Sequence, residues 1–234
     1  MPTMPDLVDE VRRRIAEAAD PGRATQMRAY MKSAMPYRGV TSVPLRGILR
    51  EVLSAHPLPD RVTWEATVLE LWDGASYREE RYAAVALAGH RSYRSCQDLD
   101  TLQLYRHLVR TGTWWDFVAN IASHHVGAIL RAWPSTVSAV IREWALDEDL
   151  WVRRTSLLSQ LHSKDATNLA LLGFVLDQNL EGSLHGHEFF IRKACGWALR
   201  QYARTDPGWV RAFIDGHDDR MSPLTRREAL KRLG

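Results

Sequence analysis

Aromatic residues recur at Tyr77, Trp114, Trp151 and Phe190, separated by 37, 37 and 39 positions. Each stands near the start of a helical pattern of mixed polar and apolar residues. A helix pair of that length cannot bury its apolar face alone. Successive pairs must stack, and a period in the high thirties points to HEAT-like repeats. The spacing therefore predicts an all-α, HEAT-like helical-repeat solenoid whose equivalent positions line a concave groove. Trp115, Arg154 and Trp197 fall among those positions. Aromatics and an arginine on one surface suit an extended, charged partner, although a protein-binding scaffold is a common use of such folds.

Helix signals run from end to end, and strand signals are nearly absent. Leu7, Val8, Val11 and Ile15 form the first stripe, and Pro21-Gly22 breaks it. Pro44 reads as the first residue of a helix, Pro134 as opening another, and Pro207 and Pro223 as first-turn prolines. Asp60 reads as a cap for a helix containing Val62, Ala66, Leu69 and Leu71. Ser76 with Glu79 reads as a capping box. No segment is low in complexity and no linker divides the chain, so residues 1–234 read as one domain.

The 234 residues are 45% hydrophobic and 25% charged, ordinary for a globular protein with a sizeable core. The net charge of +3 and pI near 9.0 permit a polyanionic partner without requiring one. Cys96 and Cys195 give no disulfide framework and no metal spacing, which suits a reducing cytoplasm. Met1 to Glu10 has no signal-peptide core, and no apolar run is long enough to span a membrane. His124-His125 and His185-Gly186-His187 lack carboxylate or cysteine partners at a ligand spacing, so no metal is expected. There is no Gly-rich phosphate loop and no serine elbow.

The stretch Thr113 to Ser123 is the most informative. Thr113 can cap a helix and Asp116 can return the bond. Trp115 and Ala119, four apart, share a face, while Phe117 and Ile121 can enter a core. A large ring beside a methyl group is either packing or one wall of a groove.

Five pieces, in order, resemble the DNA alkylation repair proteins of the bacterial AlkD type, which are helical-repeat DNA glycosylases. They are Ala29-Tyr30-Met31-Lys32, Thr113-Trp114-Trp115-Asp116, Leu150-Trp151-Val152-Arg153-Arg154, the run from Glu188 to Tyr202, and Ser222 to Ala229. The resemblance covers nearly the whole chain. It implies a DNA-repair enzyme that binds duplex DNA containing N3- or N7-alkylated purines, bulky adducts among them, and hydrolyses the N-glycosidic bond without flipping the base. Trp115 and Trp197 would pack on the sugar-phosphate backbone at the lesion, and Arg154 would hold a flanking phosphate. Tyr30, Lys32 and Thr41 would line the N-terminal side, with Lys164 and Arg226 adding phosphate contacts. The resemblance further implies a monomer needing no cofactor, in the bacterial cytoplasm at the nucleoid.

One position departs. The family has an aspartate four residues after the first of these tryptophans, where this chain has Ala119. A methyl group neither stabilises a sugar cation nor orients water. Asp116 lies about 100° round the helix, Asn120 is uncharged, and His124 and His125 lie further along. Excision is therefore expected to be impaired. Ala119 reads as an introduced change, as the mark of a natural non-catalytic DNA-binding paralogue, or as a site whose work another residue has taken over.

Overall fold

The polar residues that end one helix and start the next set this architecture. The computed structural model describes residues 5–233, so the first four residues of the Met1 to Glu10 reading lie outside it. Among the described residues there are helices and turns but no strand, and no helix is long and apolar enough to cross a membrane. The chain divides into two compact units, Met1–Gln97 and Asp98–Gly234.

The first unit holds α1 (Pro5–Glu17), α2 (Pro21–Met31), α3 (Ser42–Ala55), α4 (Arg61–Asp73), α5 (Arg78–Ala88) and a 3-10 turn at Arg91–Cys96. α1 packs on α3 and α5, and α4 packs on α5. Leu7, Val8, Val11 and Ile15 are all buried, as the stripe predicts. On α4 the buried residues are Thr63, Trp64, Ala66, Thr67, Val68, Leu71 and Trp72, and Val62 is exposed. The two buried indoles fix the rotation of that helix. They remove more apolar area from water than a valine could.

The second unit holds α6 (Thr101–Gly112), α7 (Trp115–Asn120), a π-helical turn (Ile121–Val126), α8 (Gly127–Ala132), α9 (Pro134–Trp144) and α10 (Leu150–Leu158). A 3-10 turn at Lys164–Ala166 leads to α11 (Leu169–Asp177). Then follow α12 (Phe189–Tyr202), α13 (Pro207–Gly216), a 3-10 turn at Asp218–Arg220 and α14 (Pro223–Leu230). Within this unit α7, α10, α12 and α14 pack in succession as one layer, and α8, α9 and α11 form another against it. This successive packing of helix pairs is the HEAT-like helical-repeat fold.

Caps explain most of the boundaries. Asp60 accepts from Thr63 N at 2.8 Å, Asp149 from Trp151 N at 2.8 Å, Asn168 from Leu171 N at 3.0 Å and Ser222 from Thr225 N at 3.0 Å. Pro134, Pro207 and Pro223 each open a helix, whereas Pro44 sits two residues into α3. Two expected boxes are built differently. Thr113 does not cap α7: at φ 39° it closes α6 in the left-handed region, and Trp114 takes the cap position with no side-chain bond. Tyr77, not Ser76, precedes α5, and Glu80 rather than Glu79 reaches Ser76 N, at 3.3 Å. Glu79 instead accepts from the backbone N–H groups of Arg38, Gly39 and Val40 at 2.9–3.1 Å, pinning the loop before Thr41.

The joint between α12 and α14 sets the position of Trp197. A Cβ on Gly196 would lie 2.5 Å from Glu228 Cβ and 2.8 Å from Thr225 O, so the helices touch through backbone there. Glu228, 1% exposed, accepts from Lys193 and Lys231 at 2.6 Å each and pairs with Arg200. Burial alone would raise its carboxyl, but these cations outweigh burial and hold it down at about 2. Gly196→Ala should destabilise by about 1–3 kcal/mol through overpacking, read as a lower urea midpoint; an unchanged midpoint would show that α14 yields freely. The unfolded chain protonates Glu228 near 4.5 and the folded chain only near 2. The stabilisation is thus fully present above 4.5 and is lost as pH falls toward 2. Glu228→Gln should be less stable than the parent at pH 7, with the gap closing across that window in acid denaturation.

Candidate nucleic-acid interface

The repeat positions meet physically in the second unit. Trp114 stands before α7, Trp151 is second in α10 and Phe190 is second in α12. The Phe190 ring lies 5.1 Å from Trp151 and 5.9 Å from Trp114, the latter edge-on, and Phe189 adds a T-shaped contact at 5.3 Å. An aromatic ladder thus ties α7, α10 and α12 together at their N-terminal ends. Phe190 is its hub. The sequence offered it only as a repeat marker.

The positions that the resemblance would set against a lesion follow on the same helices. Trp115 opens α7, with Ala119 one turn on, and both are half-buried. α7 packs against α10, which bears Arg154, and α10 against α12, which bears Trp197. Trp197 is also half-buried. Neither the Trp115 nor the Trp197 side chain is engaged in a hydrogen bond or a ring stack among the described residues. Ala119 presents a methyl group, and its carbonyl accepts from the Ser123 hydroxyl at 2.7 Å.

The adjacent arginines of α10 divide their roles. Arg153 donates to Leu146 O at 3.1 Å, Asp147 O at 2.5 Å and Gln178 O at 3.2 Å, satisfying carbonyls where α9 and α11 end. Arg154 is only 3% exposed. Its Nη1 donates to Phe190 O, its guanidinium lies 5.8 Å from the Phe190 ring centre, and its Nε has no hydrogen-bond partner among the described residues. Burial pushes its pKa down to about 10, so it stays cationic at neutral pH. No described carboxylate pairs with it. Cys195 beside it is pushed up to about 12 by burial and stays a neutral thiol.

The remaining positions fall in both units. In the first unit Tyr30 is 80% exposed in the last turn of α2. Lys32 closes that helix at φ 48°, and Thr41 precedes α3 with its hydroxyl uncommitted as a cap. In the second unit Lys164 is exposed at φ 50°, and Arg226 is ion-paired with Asp218. Left-handed backbone costs a non-glycine residue about 1–2 kcal/mol, and two of the three such residues described are these lysines. Among the described residues no group of His, Cys, Asp and Glu could hold a metal ion. The π-helical turn after α7 was not legible in the sequence: Gly127 N reaches back five residues to Ala122 O. Such turns concentrate at functional sites.

Comparisons with known proteins follow the same line. A family model described as DNA alkylation repair enzyme matches residues 11–233. A solved structure described as a predicted DNA alkylation repair enzyme from Enterococcus faecalis superposes with a TM-score of 0.80 at 29% identity, covering 92% of this chain and 97% of that one. No curated protein matches.

The ladder makes Phe190 testable. Phe190→Ala should cost about 3 kcal/mol in urea unfolding and shift the tryptophan emission, because Trp114 and Trp151 lose their shared ring. An unchanged midpoint and spectrum would remove Phe190 from the role of hub.

Proposed function

This chain belongs to the DNA alkylation repair enzyme family, and from that premise we propose that it binds duplex DNA carrying cationic N3- or N7-alkylated purines. The observation that supports the reading most directly is Arg154. A buried guanidinium with no carboxylate partner needs an external counter-charge, and a backbone phosphate supplies one with matching fork geometry. The half-buried, unengaged faces of Trp115 and Trp197 on the flanking helices suit a deoxyribose on either side. Tyr30, Lys32 and Thr41 from the first unit, with Lys164 and Arg226 from the second, would add backbone contacts that position the duplex without reading sequence.

The reaction proposed for the site is hydrolysis of the N-glycosidic bond. The lesion base leaves with its bonding electron pair, which quenches the charge it already bears. Positive charge then develops on the sugar, and water adds at the anomeric carbon and gives up a proton. A carboxylate near the sugar stabilises that transition state more than the ground state, where charge still sits on the base. Position 119, one turn from Trp115, is where such a group would act, and this chain has a methyl group there. Binding without efficient excision is therefore the expected behaviour. Ala119 equally favours a second reading, a non-catalytic protein that recognises damaged or bent duplex by phosphates and shape.

Ala119→Asp separates the two. In single-turnover release of an alkylated base at saturating protein, the substitution should raise the rate by roughly 10²–10³. Equal rates with duplex binding intact would place the carboxylate wrongly and favour the non-catalytic reading. Loss of salt-dependent duplex binding in both proteins would reject both readings.

A further inference from the structure

Beyond the tryptophan face, the second unit gathers four basic side chains that the reading above leaves unused, apart from Lys164. His124 lies in the π-helical turn and His162 in the loop after α10. Their rings stack at 4.6 Å between centres and 27° between planes. Both residues are exposed. The contact is fixed from below: a Cβ on Gly127 would lie 2.5 Å from Ser159 O, so the end of α10 rests directly on the helix that bears His124. The same construction places Arg131 Nη1 3.3 Å from that Cβ, so the guanidinium folds back along α8 toward the π-helical turn. Lys164 follows two residues after His162, its backbone held in the left-handed region.

The charges acting on His162 are all basic. His124, Arg131 and Lys164 each oppose its protonation, after the larger effect of burial, and together they push its pKa below the ordinary value. Desolvation likewise pushes Arg131 down. No acid of a packed element is among the charges that act on His162. α6 offers Tyr105, whose ring stacks on His125 at 5.4 Å. α10 turns Arg153 and Arg154 to backbone carbonyls. The acid of α7, Asp116, lies in its first turn, and Asp165 acts on Tyr202.

We propose that His124, His162, Arg131 and Lys164 form a phosphate oxyanion site that takes up a proton when it binds, so that its affinity rises as pH falls. The ligand under the DNA-binding reading, on which this proposal rests for its source, is a phosphodiester of the duplex backbone. Two imidazolium rings stacked at this distance, beside two further cations, repel one another. An anion seated among them reverses the balance and favours the charged form of each ring. Binding and protonation are then linked, with up to a tenfold gain in affinity per pH unit for each proton taken up.

The test compares the parent with the His124→Gln, His162→Gln double variant. Duplex affinity is measured from pH 7.5 to 5.5 at fixed ionic strength. Imidazole titration by NMR, with and without inorganic phosphate, forms a second arm. Both substituted side chains are exposed, and matched thermal melts check the fold. The parent should tighten on duplex by about tenfold across that range, and the variant should lose most of that gain. A variant that keeps the parent's pH dependence, or a parent with none, overturns the site as a duplex contact. If the parent binds no duplex at any pH while phosphate still raises the imidazole pKa values, the anion site stands and the DNA reading falls. No rise with phosphate and no pH-dependent duplex binding overturns the proposal outright.

Discussion

The guanidinium of Arg154 is the constraint that organises the second unit. Burying a cation costs several kcal/mol unless charge and hydrogen bonds compensate, and its bond within the protein is to a neutral carbonyl, Phe190 O. That carbonyl belongs to the residue whose ring also holds Trp114 and Trp151. The cation, the ladder and helices α7, α10 and α12 are thus one cooperative object. Folding alone gives little reason to retain an arginine there, since an apolar side chain of similar volume would pack without the penalty. Retaining the charge makes sense when its counter-charge arrives with a ligand.

Much of this was legible in the residues, and the physics says why. Caps at Asp60, Asp149, Asn168 and Ser222, and first-turn prolines at Pro134, Pro207 and Pro223, act through bonds only two or three residues long, so local sequence suffices. The spacing of Tyr77, Trp114, Trp151 and Phe190 survives translation into structure because each residue starts an equivalent helix. What failed turned on a distant segment in one case and on local backbone reversal in the other. Glu79 abandons its own helix start because three N–H groups of residues 38–40 offer a better site for its charge. Thr113 closes one helix rather than opening the next because the chain reverses there at positive φ.

The candidate interface divides similarly. Trp115, Arg154 and Trp197 could be named from motif positions, and their helices pack in succession. The burial of Arg154, the pairing of Arg226 with Asp218 and the stacking of His124 on His162 could not, since each depends on a partner from another element. Under the proposed reading, the groups that would hold a duplex are spread over many helices, while the carboxylate that would assist bond cleavage would act from one position, 119. On that reading a single side chain can change the chemistry while leaving recognition in place.

The π-helical turn at Ile121–Val126 acts as a gauge between two parts of one rod. An extra residue per turn offsets what lies downstream by about 100° relative to a continuous α-helix. Trp115 and Ala119 lie on one side of that offset, and Gly127 and Arg131 on the other. Gly127 passes so close to Ser159 O that a side chain there would not fit without a shift. Losing one residue from the turn would restore regular backbone bonding, yet it would swing the tryptophan face away from α10. Local backbone economy and the aim of the indole are set against each other here, so a length change in this short segment bears on geometry more heavily than most substitutions within it.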